Sequence, residues 1–302
     1  MLKKLSIAFL GLTFALALPT MAKAETVMER IARTRVIRMA GSSDVIPYSY
    51  FNEKNQLVGY SIDLISLIEQ EVSRFLGKPV KVDFQSVRKI SELIPKVAYG
   101  QVDIACNTQF TWERENFVDF SLPYSLSGIR LLAKKGSLKG DAASLVGKKV
   151  AVLPNSLGEK LIKSIQPQAT LVKVSGVNQA IEALVSGKAD AIAGDTVVLA
   201  GAIQKSNPSD YEVVPAQPLA RYGVGCMIPE DNSSFRNLVN QSIARMLQGY
   251  LDDDPKYSAM VNKWVGSQGI VDLPTELIKA YFQSVLFSYE EIPLTGVPAP
   301  SE

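Results

Sequence analysis

The sequence predicts an α/β fold built as two similar lobes with mostly parallel sheets, and three observations predict it. Strand-like and helix-like stretches alternate along most of the chain, the pattern of a parallel sheet flanked by helices. A helix-Gly-Asp-strand segment beginning at Leu93 is echoed from Ile181, about ninety residues later. Two extended stretches, 127–136 and 221–228, divide the chain as two crossings between lobes would.

Taken in order, Val36-Ile37-Arg38-Met39-Ala40 is β-rich and ends in the polar turn Gly41-Ser42-Ser43-Asp44. Ser61 is expected to cap a helix whose apolar residues Ile62, Leu64, Ile65, Ile68, Val72 and Phe75 recur at helical spacing until Gly77-Lys78-Pro79 stops it. Val80 to Phe84 resumes strand character. A helix around Ser91 to Tyr99, with Leu93, Ile94 and Val97 on one face, leads into the short apolar strand Asp103-Ile104-Ala105-Cys106. Leu93 to Ala105 and Ile181 to Ile192 share one plan. An apolar-faced helix ends at Gly100 or Gly187, and three residues later Asp103 or Asp190 opens a buried strand. The pattern alone fits either a built repeat or chance likeness between common αβ connections. With the crossings placed as above, the first lobe is expected to comprise 25–130 and 226–302, and the second 134–221. Helices are expected at Phe235 to Tyr250, Tyr257 to Trp264 and near Thr275 to Phe287, before a disordered end at 295–300.

The 302 residues include no histidine and two cysteines. Ser-His-Asp and Cys-His relays, an HExxH zinc site and an all-cysteine zinc site are therefore excluded, and no cofactor or metal is expected. Lys3 and Lys4 precede an apolar run from Leu5 to Leu18, then Pro19 and Ala22-Lys23-Ala24, with no acidic residue. This reads as a secretory signal peptide cleaved after Ala24, since the apolar run is shorter than the ~20 residues of a membrane-spanning helix. Its removal leaves 29 of the 32 basic residues against 30 acidic ones, a nearly neutral exported protein. The basic residues are scattered, so a nucleic-acid partner is not expected.

In open α/β sheets a ligand sits beyond the carboxyl ends of the strands. There stand Asn107-Thr108-Gln109-Phe110-Thr111-Trp112-Glu113-Arg114, with Arg114 able to grip a carboxylate bidentately or, on the alternative reading, to pair at the surface with Glu113 or Glu115. In the second lobe, Pro154-Asn155-Ser156-Leu157-Gly158 forms a strand-to-helix turn whose free N–H groups and Ser156 hydroxyl favour an anion; a plain helix cap explains the same letters. Asp195 follows the strand Ala191 to Gly194, as a helix cap or as the carboxylate for a cation. Together one Arg, one anion-friendly helix start and one carboxylate match a zwitterion, whose two charges must both be paired on burial.

The ordered set Ile46-Pro47-Tyr48-Ser49-Tyr50, Leu57 to Leu64, Leu93-Ile94-Pro95, Gly100 to Asp103, Thr111 to Arg114, Val118 to Ser121, Pro123-Tyr124 and Gly187 to Asp190 resembles the polar amino-acid-binding proteins of ABC importers, bacterial solute-binding protein family 3. Through Gly128 to Leu132, Tyr222 to Met227 and the tail after Trp264, it most resembles the glutamate/aspartate-binding branch. The resemblance implies a two-lobed periplasmic binding protein with type II connectivity that closes on one amino acid by hinge motion. It implies that Arg114 holds the ligand α-carboxylate with help from Ser156 and the adjacent Leu157 N–H, that Asp195 takes the α-ammonium, and that Asn107 and Gln109 touch the same groups. It further implies a monomer in the periplasm whose partner is an ABC transporter permease in the inner membrane.

For the side chain of the ligand, the positions that carry basic residues in the glutamate/aspartate branch correspond to Ser42, Leu93 and Val177, and Arg88 is a replacement candidate. Val45 stands where relatives often place an aromatic, and Ile90 where they place an apolar wall. A neutral or modestly polar amino acid is expected. The rival is a periplasmic cyclohexadienyl or arogenate dehydratase-like enzyme on the same fold, with Glu159 or Glu182 as general acid. Cys106 and Cys226, an even count in an oxidising compartment, are expected to form a disulfide, with two buried free thiols as the alternative.

Overall fold

The computed structural model describes residues 25–87, 92–204, 208–267 and 269–288. Helix α1 (Val27–Thr34) opens with a capping box between Thr26 and Glu29. Strand β1 (Val36–Gly41) precedes a small antiparallel sheet of β2 (Asp44–Val45), β3 (Ser49–Phe51) and β4 (Leu57–Val58). Then come α2 (Tyr60–Leu76), β5 (Lys81–Ser86), α3 (Leu93–Ala98), β6 (Ala105–Gln109), the short α4 (Trp112–Glu115), β7 (Asp119–Phe120) and the long strand β8 (Ser125–Lys134). The second half runs β9 (Lys149–Val152), α5 (Leu157–Ile165), β10 (Thr170–Lys173), α6 (Val177–Val185), β11 (Ala191–Asp195), α7 (Thr196–Ile203) and β12 (Tyr211–Val214). β13 (Ala220–Ile228) leads to α8 (Ser233–Leu251), α9 (Pro255–Val265) and α10 (Thr275–Ser288).

The echo in the sequence is a built repeat. β1 lies parallel to β5, and β9 parallel to β10. On the other side of each first strand comes the third strand of its unit: Met39 bridges Ile104 in parallel, and Ala191 and Ile192 pair in parallel with Val150 and Ala151. Gly100 and Gly187 both turn the chain with left-handed φ, 62° and 73°. Each Asp three residues on then clamps the neighbouring strand. Asp103 N donates to Arg38 O at 2.8 Å while its Oδ2 accepts from Arg38 N at 2.6 Å. Asp190 does the same with Lys149, at 2.7 Å in both directions. The short side chain supplies the acceptor that a third ladder bond would have supplied.

β8 stands in an eight-stranded sheet that holds the second unit and, through β13, the first unit's β6, while β1 and β5 form a two-stranded sheet of their own. Its residues 125–129 pair antiparallel with β13, residues 129–133 with β11 and residues 131–134 with β12. Around β9 and β11 both sheet faces are buried: Leu131, Val150, Val152 and Ile162 on one, Leu132, Ala151, Ile192 and Leu199 on the other. The other core is larger, joining α1, α2 and α8 to α10 around the fully buried Tyr48, Tyr60 and Tyr124.

Two expectations are corrected. Ser61 does not cap α2; Gly59 is the N-cap, with φ 144°, because a Cβ there would lie 2.1 Å from Tyr48 O. Ser61 sits inside the helix, buried, with its hydroxyl 2.7 Å from that of Tyr124. The strand expected to stop at Cys106 continues to Gln109, since β13 pairs with it as far as Val224 opposite Gln109. Asn107 is the extra residue of a bulge there, with φ 60°. Residues 1–24, Arg88, Ile90 and 295–300, which carry the expected signal peptide, two side-chain pocket positions and the expected disordered end, lie outside the described residues. Among the described residues no helix is long and apolar enough to cross a membrane.

Cys106 and Cys226 face each other across β6 and β13 and form a disulfide. The bridge closes a loop with a sequence separation of 120, so in the unfolded chain it removes much conformational freedom. The double variant Cys106→Ala/Cys226→Ala is expected to lose about 2–5 kcal/mol in chemical denaturation. Unchanged stability, or two alkylatable thiols in the unfolded non-reduced protein, would contradict that role.

Candidate functional site

A cavity of about 580 Å³ opens where the carboxyl ends of β6, β9 and β11 meet. Arg114, Asp195, Ser156, Leu157, Asn107, Gln109 and Val45 line it, as does Val177. Ser42 does not; its hydroxyl donates to Asp44. Leu93 is absent from the lining, being buried among the residues beneath α3. Ile90 and Arg88 fall outside the described residues.

Arg114 sits on α4, a single turn started by Thr111, whose hydroxyl accepts from Arg114 N at 3.2 Å. Its Nη1 donates to Gln109 O at 2.8 Å and to Gln109 Oε1 at 3.3 Å. Neighbouring Glu113 pairs with Lys160 of α5 on the opposite side of the cavity, so the expected alternative of a surface pair does not form there. Among the described residues Arg114 makes no ion pair. Burial pushes its pKa down, yet a guanidinium stays charged at any physiological pH.

Asp195 ends β11 and begins α7. Its Oδ1 accepts from Val197 N at 2.9 Å and Val198 N at 3.0 Å, the helix cap. Its Oδ2 accepts from the Tyr222 hydroxyl at 2.7 Å. Burial raises its pKa above the ordinary 3.8, and the hydrogen bond from Tyr222 is the largest of the opposing effects. A carboxylate offers about four acceptor positions, so the cap leaves Oδ2 room for a further donor. Gln109 Nε2 reaches the Tyr222 hydroxyl at a long 3.5 Å. Arg114, Gln109, Tyr222 and Asp195 thus form a chain of hydrogen bonds that separates the two charges by neutral groups.

Ser156 caps α5, accepting from Glu159 N at 3.1 Å. The first N–H groups of a helix lack intrahelical partners, and those at Leu157 and Gly158 belong to this set. Gly158 lets α5 approach β11 closely, for a Cβ there would meet Ala193 O at 2.9 Å. Asn107 Oδ1 is buried without a hydrogen-bond partner, an acceptor at the cavity wall. Glu159 is fully engaged: Oε2 accepts from Asn155 N at 2.7 Å, and Oε1 lies 2.9 Å from Lys163 Nζ and 3.5 Å from Lys173 Nζ. The bond from Lys163 is foremost in holding its carboxyl below the usual range.

Sequence reasoning missed the lining residues Lys173 and Ile94 and the apolar face supplied by α6 and α7, and it missed Tyr222 as the partner of Asp195. A signal for the last was present, because Val197 to Ile203 carries no polar side chain on any face.

Residues 37–267 match the family described as bacterial extracellular solute-binding proteins, family 3. The chain belongs to this family. This solute-binding protein is 29% identical over 230 residues to the glutamate/aspartate import solute-binding protein of Escherichia coli K12, covering 74% of this chain and 76% of that one. It is 30% identical over 223 residues to the L-glutamate/L-aspartate-binding protein of Pseudomonas aeruginosa, covering 72% and 74%. Among solved structures, an ancestral arginine-binding protein bound to glutamine superposes with a TM-score of 0.67 at 26% identity, over 76% of this chain and 98% of that one. An ancestral amino-acid-binding protein described as a precursor of cyclohexadienyl dehydratase gives the same TM-score of 0.67 at 26% identity, over 80% and 100%. The fold is the two-lobed α/β architecture of periplasmic binding proteins.

The double role of Asp195 makes its cap separable from its charge. Asp195→Ala is expected to lower the ligand-free stability by about 1 kcal/mol through loss of the cap. Asp195→Asn keeps an oxygen for Val197 N and Val198 N and removes a buried charge, so its melting temperature should match or exceed that of the wild type at neutral pH. Equal losses in both variants would refute the cap.

Proposed function

We propose that this solute-binding protein captures a neutral α-amino acid between lobes comprising 25–130 with 226–302 and 134–221, and delivers it to the permease of an ABC transporter in the inner membrane. It acts as a periplasmic monomer once the segment before Glu25 is removed. One observation carries the ligand class: a half-buried guanidinium and a buried carboxylate, neither of them in an ion pair, line one cavity. The four buried acids among the described residues are Glu71, Asp103, Glu159 and Asp195, and the first three pair with Arg or Lys. Asp195 alone awaits a cation, and burying an unpaired charge is unfavourable unless a ligand completes it.

The relatives' printed ligands, glutamate or aspartate, glutamine and arginine, share an α-carboxylate and an α-ammonium and differ only beyond them. Arg114, with Ser156 and the start of α5, suits the first group. Asp195 and the unpaired Asn107 Oδ1 suit the second. Lys173 is the basic lining residue near enough to serve a side carboxylate, but its ammonium lies against Glu159, which favours a ligand without side-chain charge. The dehydratase alternative loses its acids: Glu159 is paired, and Glu182 lies on the exposed face of α6.

A thermal-shift screen of the amino acids tests the proposal, since a ligand at 100 times its Kd adds about 2.7 kcal/mol of stability. Arg114→Ala should abolish the shift, and an unchanged shift would overturn the carboxylate assignment. Acidification supplies a second check. The pKa of Asp195 is raised, so protonation of the ligand-free protein begins at a higher pH than for an ordinary carboxyl. A protonated Asp195 cannot pair with an ammonium, so affinity should fall toward tenfold per pH unit below that pKa, and Asp195→Asn should flatten the profile. Affinity that rises on acidification would contradict the ammonium site.

A further inference from the structure

The cavity continues past the two charges. Beyond Asp195 it is lined by Leu153, by Val177, Ala180 and Ile181 on α6, and by Leu199 and Ala202 on α7. The two helices cover the same face of the β9 and β11 sheet, in one apolar cluster. A helix apolar on every side is expected to be packed on every side. α7 is such a helix, and Leu199, which packs in that cluster, borders the cavity together with Ala202. Room arises because Ala180 and Ala202, only 3% and 4% exposed, stand where longer residues would fill the space.

The charges lining the cavity are few. Arg114 and Asp195 match the two head groups, and Lys173 has an exposed side chain directed at Glu159. Among the described residues no other charged side chain lines the cavity, and apart from Asn155, Ser175 and Gln179 the rest of the wall beyond the head-group residues is apolar. Desolvating a second carboxylate or a guanidinium there would go uncompensated.

We infer that this chamber between α6 and α7 receives the ligand's side chain, and that the ligand is an amino acid with a bulky apolar side chain, of the leucine, methionine and phenylalanine class. The inference rests on the amino-acid reading above and adds to it the size and polarity of the side chain. It separates this protein from the relatives whose printed ligands carry a charged or amide side chain. Ala180 and Ala202 set the size limit, because each is a position where added methylenes would occupy the space that the ligand uses.

The purified protein is titrated by calorimetry with leucine, methionine, phenylalanine, alanine, glutamate and arginine. Leucine, methionine and phenylalanine are expected to bind about tenfold to a hundredfold more tightly than alanine, and glutamate and arginine more weakly than leucine. Ala202→Leu and Ala180→Leu should each reduce phenylalanine affinity by about tenfold or more while leaving alanine binding within about threefold. Retained alanine binding shows that a variant is folded, and the wild-type order of affinities decides the matter by itself if neither variant folds. Glutamate or arginine binding more tightly than leucine, or unchanged phenylalanine affinity in folded variants, overturns the inference. Binding that Arg114→Ala abolishes, but with glutamate or arginine ahead of leucine, overturns it alone. Binding of no amino acid overturns the amino-acid reading as well.

Discussion

A buried carboxylate needs a positive partner, and this requirement organises the molecule. Asp103 is enclosed within its unit, and Arg30 and Arg38 converge on it while it clamps the backbone of β1. Glu159 braces the turn before α5 through Asn155 N, with Lys163 and Lys173 beside it. Glu71 on α2 is met by Arg74 and Arg245, which links that helix to α8. Asp195 breaks the pattern. Its donors, two backbone amides, a phenol and the Ser127 hydroxyl, are all neutral. Neutral donors reduce the electrostatic cost of burial without cancelling it, which is why burial still dominates its pKa. Of the four buried acids among the described residues, the one without a basic partner lies at the cavity, where a solute can reach it.

The second half repeats the strand order of the first, and that repetition explains the position of the site. In each unit the third strand runs parallel to the first and ends at the cavity: β6 delivers Asn107 and Gln109, β11 delivers Asp195. The bulge at Asn107 turns an amide whose oxygen finds no partner among the described residues. β8 lies between β13 and β11, so the strand that continues from one half to the other also borders both sets of site residues. Polar contacts across the cavity among the described residues are those of Glu113 with Lys160 and of Asp44 with Asn178 at 3.0 Å. Such exposed polar contacts are individually weak, whereas α7 packs on the first half directly: Val197 joins its core, and Gly201 lies so near Ile46 O that a Cβ there would come within 2.5 Å.

Much of this was legible in the sequence because it is carried by local rules. Periodicity and glycine stops located α2, α8, α9 and α10, and the Gly-Asp spacing exposed the repeat. The polar residues after apolar strands led to Asn107, Gln109, Arg114, Ser156 and Asp195, all of which line the cavity, while Val45 came from the family resemblance. What escaped depends on pairing at a distance. Nothing near Ser61 announces that Tyr48 O approaches Gly59 too closely for any side chain, which moves the cap by two residues. Nothing near Cys106 announces that β13 will extend β6 to Gln109. The hydroxyl of Tyr222 becomes a partner of Asp195 only because β13 and β11 flank the same strand. Ser42 is a pocket position by resemblance alone, yet Asp44 lies two residues away and accepts the hydrogen bond of its hydroxyl.

On the proposed reading, head-group recognition and side-chain recognition rest on different materials in this protein. The groups suited to an α-carboxylate and an α-ammonium are strand ends, a helix start and a capped turn, all fixed by backbone hydrogen bonds whose loss would disturb the sheet. The chamber beyond them is made by the faces of α6 and α7, which rest on the sheet through apolar contact. Substitution at Ala180 or Ala202 changes volume without removing any backbone bond, so the chamber can vary while the charged end stays constant. Relatives at 26% to 30% identity that are named for acidic, amide and basic amino acids are consistent with such a division. A shared scaffold then specifies what all α-amino acids have in common, and a few positions on two helices specify the rest.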